Sequence, residues 1–219
     1  QRRYEPLALT REQILLAVAA EVPQNGELVD NPYDSWNEID SSLPNAEIEV
    51  LGPPTTSGTR DAFEELVMEG ASEAAGYPEE YTDIRSDGGY VDSGENDNLI
   101  VQRITENKDA VGIFGFSFLE ENSDVVQAAT VDGVEPTTES ISTEDYPVAR
   151  SLWFYIKEAH EGVVPGIDEY VSLFMDDIMI GTDGLLIEEG LIPLPASQSA
   201  EWRERVENRV DLQRSDLEG

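Results

Sequence analysis

At 219 residues the chain is long enough for one or two domains with a buried core. It carries 47 acidic against 13 basic residues, a formal net charge of -34, and a field of that sign excludes nucleic acid and anionic membrane surfaces as partners. The acids are interleaved with apolar periodic segments, which excludes a disordered acidic tract. Among the basic residues only Lys108 and Lys157 are lysines. An acidic, lysine-poor surface suits concentrated salt, where repulsion between carboxylates is screened within roughly 3 Å at 1 M. The absence of cysteine excludes disulfides and thiol chemistry. No apolar run approaches the roughly 18 residues of a membrane span. The opening Gln1-Arg2-Arg3 has neither Met nor a signal-peptide pattern, and reads as the start of a processed or truncated product.

In chain order, Thr10 and Gln13 form a capping box for a first helix with Ile14, Leu15, Val18 and Ala19 on one face. Residues 23–44 carry turn formers (Asn25-Gly26, Asn31-Pro32, Pro44-Asn45) around a helical turn at Trp36 and Ile39. Ile48, Val50 and Leu51 predict a strand that Pro53 and Pro54 stop. A helix then follows residues 55–59, with Phe63, Leu66 and Val67 inward. Residues 76–94 read as a Gly/Asp loop. Asn96 or Asp97 caps a helix whose apolar residues are Leu99, Ile100, Val101 and Ile104, and a strand is predicted over 111–116. The alternation of strands and helices gives an α/β class.

Residues 136–147 turn polar and read as a crossing between lobes. Beyond them a strand is predicted over 152–156, a helix over 168–180 with Tyr170, Val171, Phe174, Met175 and Ile178, a short helix over 184–189, and a surface helix over 200–209. Trp36, Trp153 and Phe154 are expected in the core. His160 lies on a polar stretch and is expected to face solvent. Asp87, Asp92, Glu95 and Asp97 lack the spacing of a calcium-binding EF-hand and read as a solvated loop.

One segment places chemistry at a strand-to-helix junction: Thr55-Thr56-Ser57-Gly58-Thr59-Arg60. The first amides of a helix lack internal partners and lie at the positive end of its dipole. Gly58 leaves room for an anion, and Ser57 and Thr59 add hydroxyl donors. Plain N-capping by Ser57 or Thr59 is the alternative. The spacing is neither that of a phosphate-binding P-loop nor of a hydrolase nucleophile elbow. With no nucleophile–base pair or metal cluster in the sequence, the chain does not read as an enzyme, and no cofactor is expected.

The run Gly52-Pro53-Pro54-Thr55-Thr56-Ser57-Gly58-Thr59-Arg60-Asp61-Ala62-Phe63 resembles the phosphate-binding proteins of phosphate ABC transporters. So do Leu9-Thr10-Arg11-Glu12-Gln13-Ile14, Asn31-Pro32-Tyr33-Asp34-Ser35-Trp36 and Glu95-Asn96-Asp97-Asn98. Val111-Gly112-Ile113-Phe114-Gly115-Phe116, Tyr146-Pro147-Val148-Ala149-Arg150 and Gly190-Leu191-Ile192-Pro193-Leu194-Pro195 continue the resemblance in order.

The resemblance implies a type II periplasmic-binding-protein fold, two α/β lobes closing over one phosphate, delivered by a periplasmic or extracellular receptor to ABC permease subunits. It implies Ser57, Gly58 and Thr59 as phosphate ligands. It assigns residues 7–143 to the second lobe and 144–219 to the C-terminal part of the first lobe plus an acidic tail, with hinges near Pro6 and Thr143. Many relatives carry an Arg four residues and an Asp two residues before that Ser, where Pro53 and Thr55 stand here. Arg60 either supplies the missing charge at the phosphate or is an exposed helix-start arginine paired with Asp61 or Glu64. Family members open with a strand and Gly/Ser/Thr-rich loop that nothing before Leu7 matches. The fold is therefore expected to be incomplete at its N-terminus, by roughly a hundred residues from the size of a lobe. A monomer is expected. The alternatives are a receptor for sulfate, molybdate or tungstate, and a secreted phosphate-scavenging or adhesion module without a permease.

Overall fold

The computed structural model describes residues 6–214. The opening Gln1-Arg2-Arg3 and the end of the acidic tail lie outside the described residues. The chain divides into two compact units, one ending at Arg150 and the other beginning at Ser151.

In the first unit, strand β1 (Ala8–Leu9) leads into helix α1 (Arg11–Val18). The capping box forms as the sequence predicts: Thr10 Oγ1 accepts from the Gln13 amide at 3.1 Å, and Gln13 Oε1 from the Thr10 amide at 3.0 Å. Leu15, Ala17 and Val18 are fully buried. Strands β2 (Glu21–Gln24) and β3 (Glu27–Asp30) then form an antiparallel hairpin that propensity alone does not show, because Pro23 sits inside β2. Its two-residue turn is Asn25-Gly26, with φ of 54° and 87°, the pair of positive values that matches the twist of the flanking strands. Helix α2 (Trp36–Ile39) buries Trp36 to 2% exposure, as expected.

Strand β4 (Val50–Gly52) is the centre of a three-stranded parallel sheet. Helix α3 (Gly58–Phe63) follows and widens into a π-helical turn over Glu64–Glu69 before α4 (Gly70–Ser72). In the wide turn the Gly70 amide donates to the Glu65 carbonyl, five residues back. That spacing turns Met68 inward beside Phe63 and Val67, while Leu66 is only half-buried.

Strand β5 (Tyr90–Asp92) lies inside what the sequence presents as a loop. Three residues flanked by glycines carry no legible strand pattern, and β5 exists because β4 pairs with it. Asn96 caps α5 (Asp97–Glu106), which buries Ile100 and Val101 but leaves Leu99 46% exposed, against expectation. Strand β6 is only Val111–Gly112, not 111–116: α6 (Phe116–Glu121) starts at once beyond Gly115. Strand β7 (Thr130–Val131) pairs in parallel with β1, and α7 (Thr138–Ser142) occupies the polar stretch 136–147.

In the second unit, the strand expected over 152–156 does not form. No strand pairs with it among the described residues, and an extended backbone is satisfied only by a neighbour. Trp153 and Phe154 are exposed rather than in the core, at 42% and 38%. Each packs edge-on to one aromatic ring, Trp202 and Phe174 respectively, with centroids 4.6 Å apart. The helix expected over 168–180 is two, α8 (Ile167–Phe174) and α9 (Asp177–Ile180), because Asp176 stops the first and caps the second through the Ile178 amide. Of its expected inner face Val171 is buried, whereas Tyr170 and Ile178 are exposed. Helices α10 (Leu185–Glu188) and α11 (Ala196–Glu207) complete the unit. Among the described residues no helix is long and apolar enough to cross a membrane.

Two tyrosines lock β2 to the segment after α4. Their rings stack at 4.7 Å; Tyr77 donates to the Glu21 carbonyl and Tyr81 accepts from the Glu21 amide. Burial, above all, pushes the Tyr77 phenol up from its ordinary value. The folded state therefore holds this phenol neutral. The resulting stability is full below about pH 10 and falls as pH rises from there towards the folded pKa, at up to ~1.4 kcal/mol per pH unit. Urea unfolding at pH 9, 10 and 11 should show that fall, and Tyr77→Phe should make it shallower, the remainder coming from Tyr81, Tyr90 and Tyr146, whose phenols burial also pushes up. An equally steep fall in the variant rules out Tyr77 as its source.

Candidate functional site

The three parallel strands β5, β4 and β6 end on one edge, and each hands over there to a loop that reaches a helix start. Ligands of open α/β sheets bind outside the carboxyl ends of the strands. Ser57, Gly58, Thr59 and Arg60 stand at this edge, on the loop from β4 into α3.

Ser57 is in extended conformation and its Oγ accepts from the Thr59 amide at 3.2 Å, so it caps α3 as the plain capping alternative requires. The capping bond uses a lone pair and leaves the hydroxyl proton free to donate. Gly58, first residue of α3, is exposed, and its amide has no partner that the helix itself can offer. Ser57 and Thr59 are half-buried.

Arg60 is neither exposed nor turned outward. It is 7% exposed, its Nε donates to Glu64 Oε1 at 2.6 Å, and its guanidinium lies 4.8 Å from the centre of the Tyr90 ring. Its Nη1 reaches towards the Pro53 carbonyl at 3.5 Å, and the Tyr90 hydroxyl donates to the same carbonyl at 2.7 Å. The pairing with Glu64 matches one of the two sequence alternatives; the burial does not.

Segments distant in sequence converge here. Thr56 Oγ1 donates to Glu95 Oε1 at 2.5 Å, tying the β4–α3 loop to the loop after β5. The Gly115 amide donates to Asp97 Oδ2 at 3.1 Å, tying that loop to the one after β6. Arg150 Nη2 donates to the Gly58 carbonyl at 3.1 Å and brings an exposed guanidinium beside the start of α3. Sequence reasoning named Arg150 only within a resembling segment, and Glu95 and Asp97 otherwise only as loop acids or, for Asp97, a helix cap; it missed Tyr90, whose strand is too short to read.

The acids considered for a calcium loop are dispersed into separate bonds. Arg85 holds Asp87 with two hydrogen bonds of 2.7 Å and keeps its carboxyl below the usual range, and Asp92 accepts from the Gly94 amide. Among the described residues no group of three or more His, Asp or Glu is arranged for a metal. His160 is exposed, as expected. The edge thus offers a tetrahedral oxyanion neutral donors and one nearby cation.

Residues 2–177 match the PBP superfamily domain. The chain belongs to the PBP superfamily. Its similarity to curated proteins includes the protein SphX of Synechococcus elongatus, 27% identical over 168 residues, which are 74% of this chain and 44% of that protein. The phosphate-binding protein PstS of Staphylococcus haemolyticus is 28% identical over 148 residues, 65% of this chain and 42% of PstS. The chain therefore spans less than half the length of these relatives. Among solved structures, a possible phosphate binding protein from Planctomyces limnophilus superposes with a TM-score of 0.67 at 24% identity, covering 95% of this chain and 67% of the other. A phosphate-bound putative phosphate ABC transporter substrate-binding protein from Clostridium perfringens gives 0.57 at 24%, covering 87% and 65%. The α/β periplasmic-binding-protein fold of this PBP superfamily member is the one the sequence predicts.

Proposed function

We propose that this PBP superfamily member binds inorganic phosphate at the Ser57-Gly58-Thr59 edge and is a binding protein rather than an enzyme. The observation that carries the reading is the exposed Gly58 at a helix start, flanked by two hydroxyls and beside the Arg150 guanidinium. Similarity to phosphate-binding proteins supports the choice of anion. The anion would exchange its water for fixed N–H and O–H donors. On this reading residues 7–143 belong to a second lobe, 144–219 to part of a first lobe with an acidic tail, and phosphate bound between lobes passes to an ABC permease from outside the cytoplasmic membrane.

Calorimetric titration with phosphate in molar salt, with sulfate as control, tests it. Ser57→Ala and Thr59→Ala should each weaken phosphate binding by about 1–3 kcal/mol, the loss of a hydrogen bond to a charged group. Phosphate affinity equal to wild type in both variants would remove these residues from the site.

A further inference from the structure

We propose that Arg60 and Tyr90 are positioning residues that hold the β4–α3 loop from beneath and set the geometry of the oxyanion site without touching the ligand. The proposal rests on the phosphate reading of that loop.

The loop from Pro53 to Ser57 opens with two prolines, and its two ends are fixed differently. At the far end Thr56 donates to Glu95 on the exposed side. At the near end the Pro53 carbonyl takes the Tyr90 hydroxyl at 2.7 Å and faces Arg60 Nη1 at 3.5 Å. Both donors are buried: Tyr90 is 7% exposed and Arg60 is 7% exposed. Arg60 lies over the Tyr90 ring and is held in place by Glu64 one turn further along. The arrangement closes a circuit from β4 through Pro53 to Tyr90 of β5, to Arg60 of α3, and back along the chain to Ser57, whose carbonyl accepts from the Arg60 amide at 3.0 Å. Ser57 and Gly58 stand between the two ends of that circuit. A brace of this kind pre-organises donors, so the ordering penalty is met on folding instead of on binding. It also accounts for a buried arginine one residue past Thr59 whose guanidinium is engaged by Glu64, Pro53 and Tyr90.

Tyr90→Phe removes only the hydroxyl, and Arg60→Lys keeps the charge while losing the planar fork. In phosphate titrations Tyr90→Phe is expected to raise Kd about fivefold, the equivalent of one neutral hydrogen bond, and Arg60→Lys about tenfold. Amide hydrogen exchange gives a readout that needs no phosphate: the Ser57 and Thr59 amides should exchange faster in both variants while β6 and α1 amides keep wild-type rates. Wild-type exchange at Ser57 and Thr59 in both variants overturns the brace, as does wild-type Kd in both. Should the parent chain itself bind no phosphate, the functional reading falls and exchange alone decides the brace.

Discussion

Gly52→Val is expected to destabilise the protein by about 3 kcal/mol or more, the upper end for forcing volume into a packed core. Gly52 ends the central strand β4 opposite Asp92, with the Tyr90 ring folded across it. A Cβ at Gly52 would lie 2.7 Å from Tyr90 Cζ and 2.8 Å from Cε2. The ring cannot easily yield, because its hydroxyl is anchored on the Pro53 carbonyl and Arg60 covers its face. Gly52→Ala should already lose about 1–3 kcal/mol. In a Tyr90→Leu background the same alanine should be much better tolerated, since the two sites are in contact and their effects must couple. Urea unfolding of the four proteins in the cycle measures this. Additive effects would show that Tyr90 is not what excludes a side chain at Gly52.

Arg60→Met is the second large effect, expected at about 2–3 kcal/mol. Removing one partner of a buried ion pair costs about 3–5 kcal/mol because the other charge is left stranded. The lower figure applies here because the Arg60 side chain is 9% exposed but that of Glu64 is 28%, so Glu64 regains some water. Glu64→Gln in the Arg60→Met background should recover part of the loss. If Arg60→Met unfolds at the same urea concentration as wild type, the pair with Glu64 contributes nothing to stability.

These two residues also show where sequence reading stopped. Ser57 as a helix cap, the turn at Asn25-Gly26 and the Thr10–Gln13 box are local features, settled by side chains within four residues of one another, and all are present in the structure. Arg60 admits two readings in sequence, a charge at the phosphate or an exposed arginine paired with Asp61 or Glu64, and the buried place where its partners gather is visible in neither. Glu64 is four residues away and was named, whereas Tyr90 is thirty positions along a segment that looks like a loop. Residues 152–156 failed for the opposite reason: their apolar, β-prone composition states a preference that only a pairing strand can satisfy. The split between α8 and α9 turned on Asp176, whose carboxylate competes for backbone amides when a cap is more favourable than another helical turn.

By itself, then, the sequence determined the α/β class, the capped starts of α1 and α5, the net negative charge and the Ser57-Gly58-Thr59 junction, because each depends on near neighbours or on bulk composition. Only the tertiary structure decided that β5 is a strand, that Arg60 is buried over the face of Tyr90, and that Glu95, Asp97 and Arg150 meet that junction at one sheet edge. Those outcomes depend on pairings between residues 18 to 92 positions apart, whose energies exist only once the sheet has brought them together.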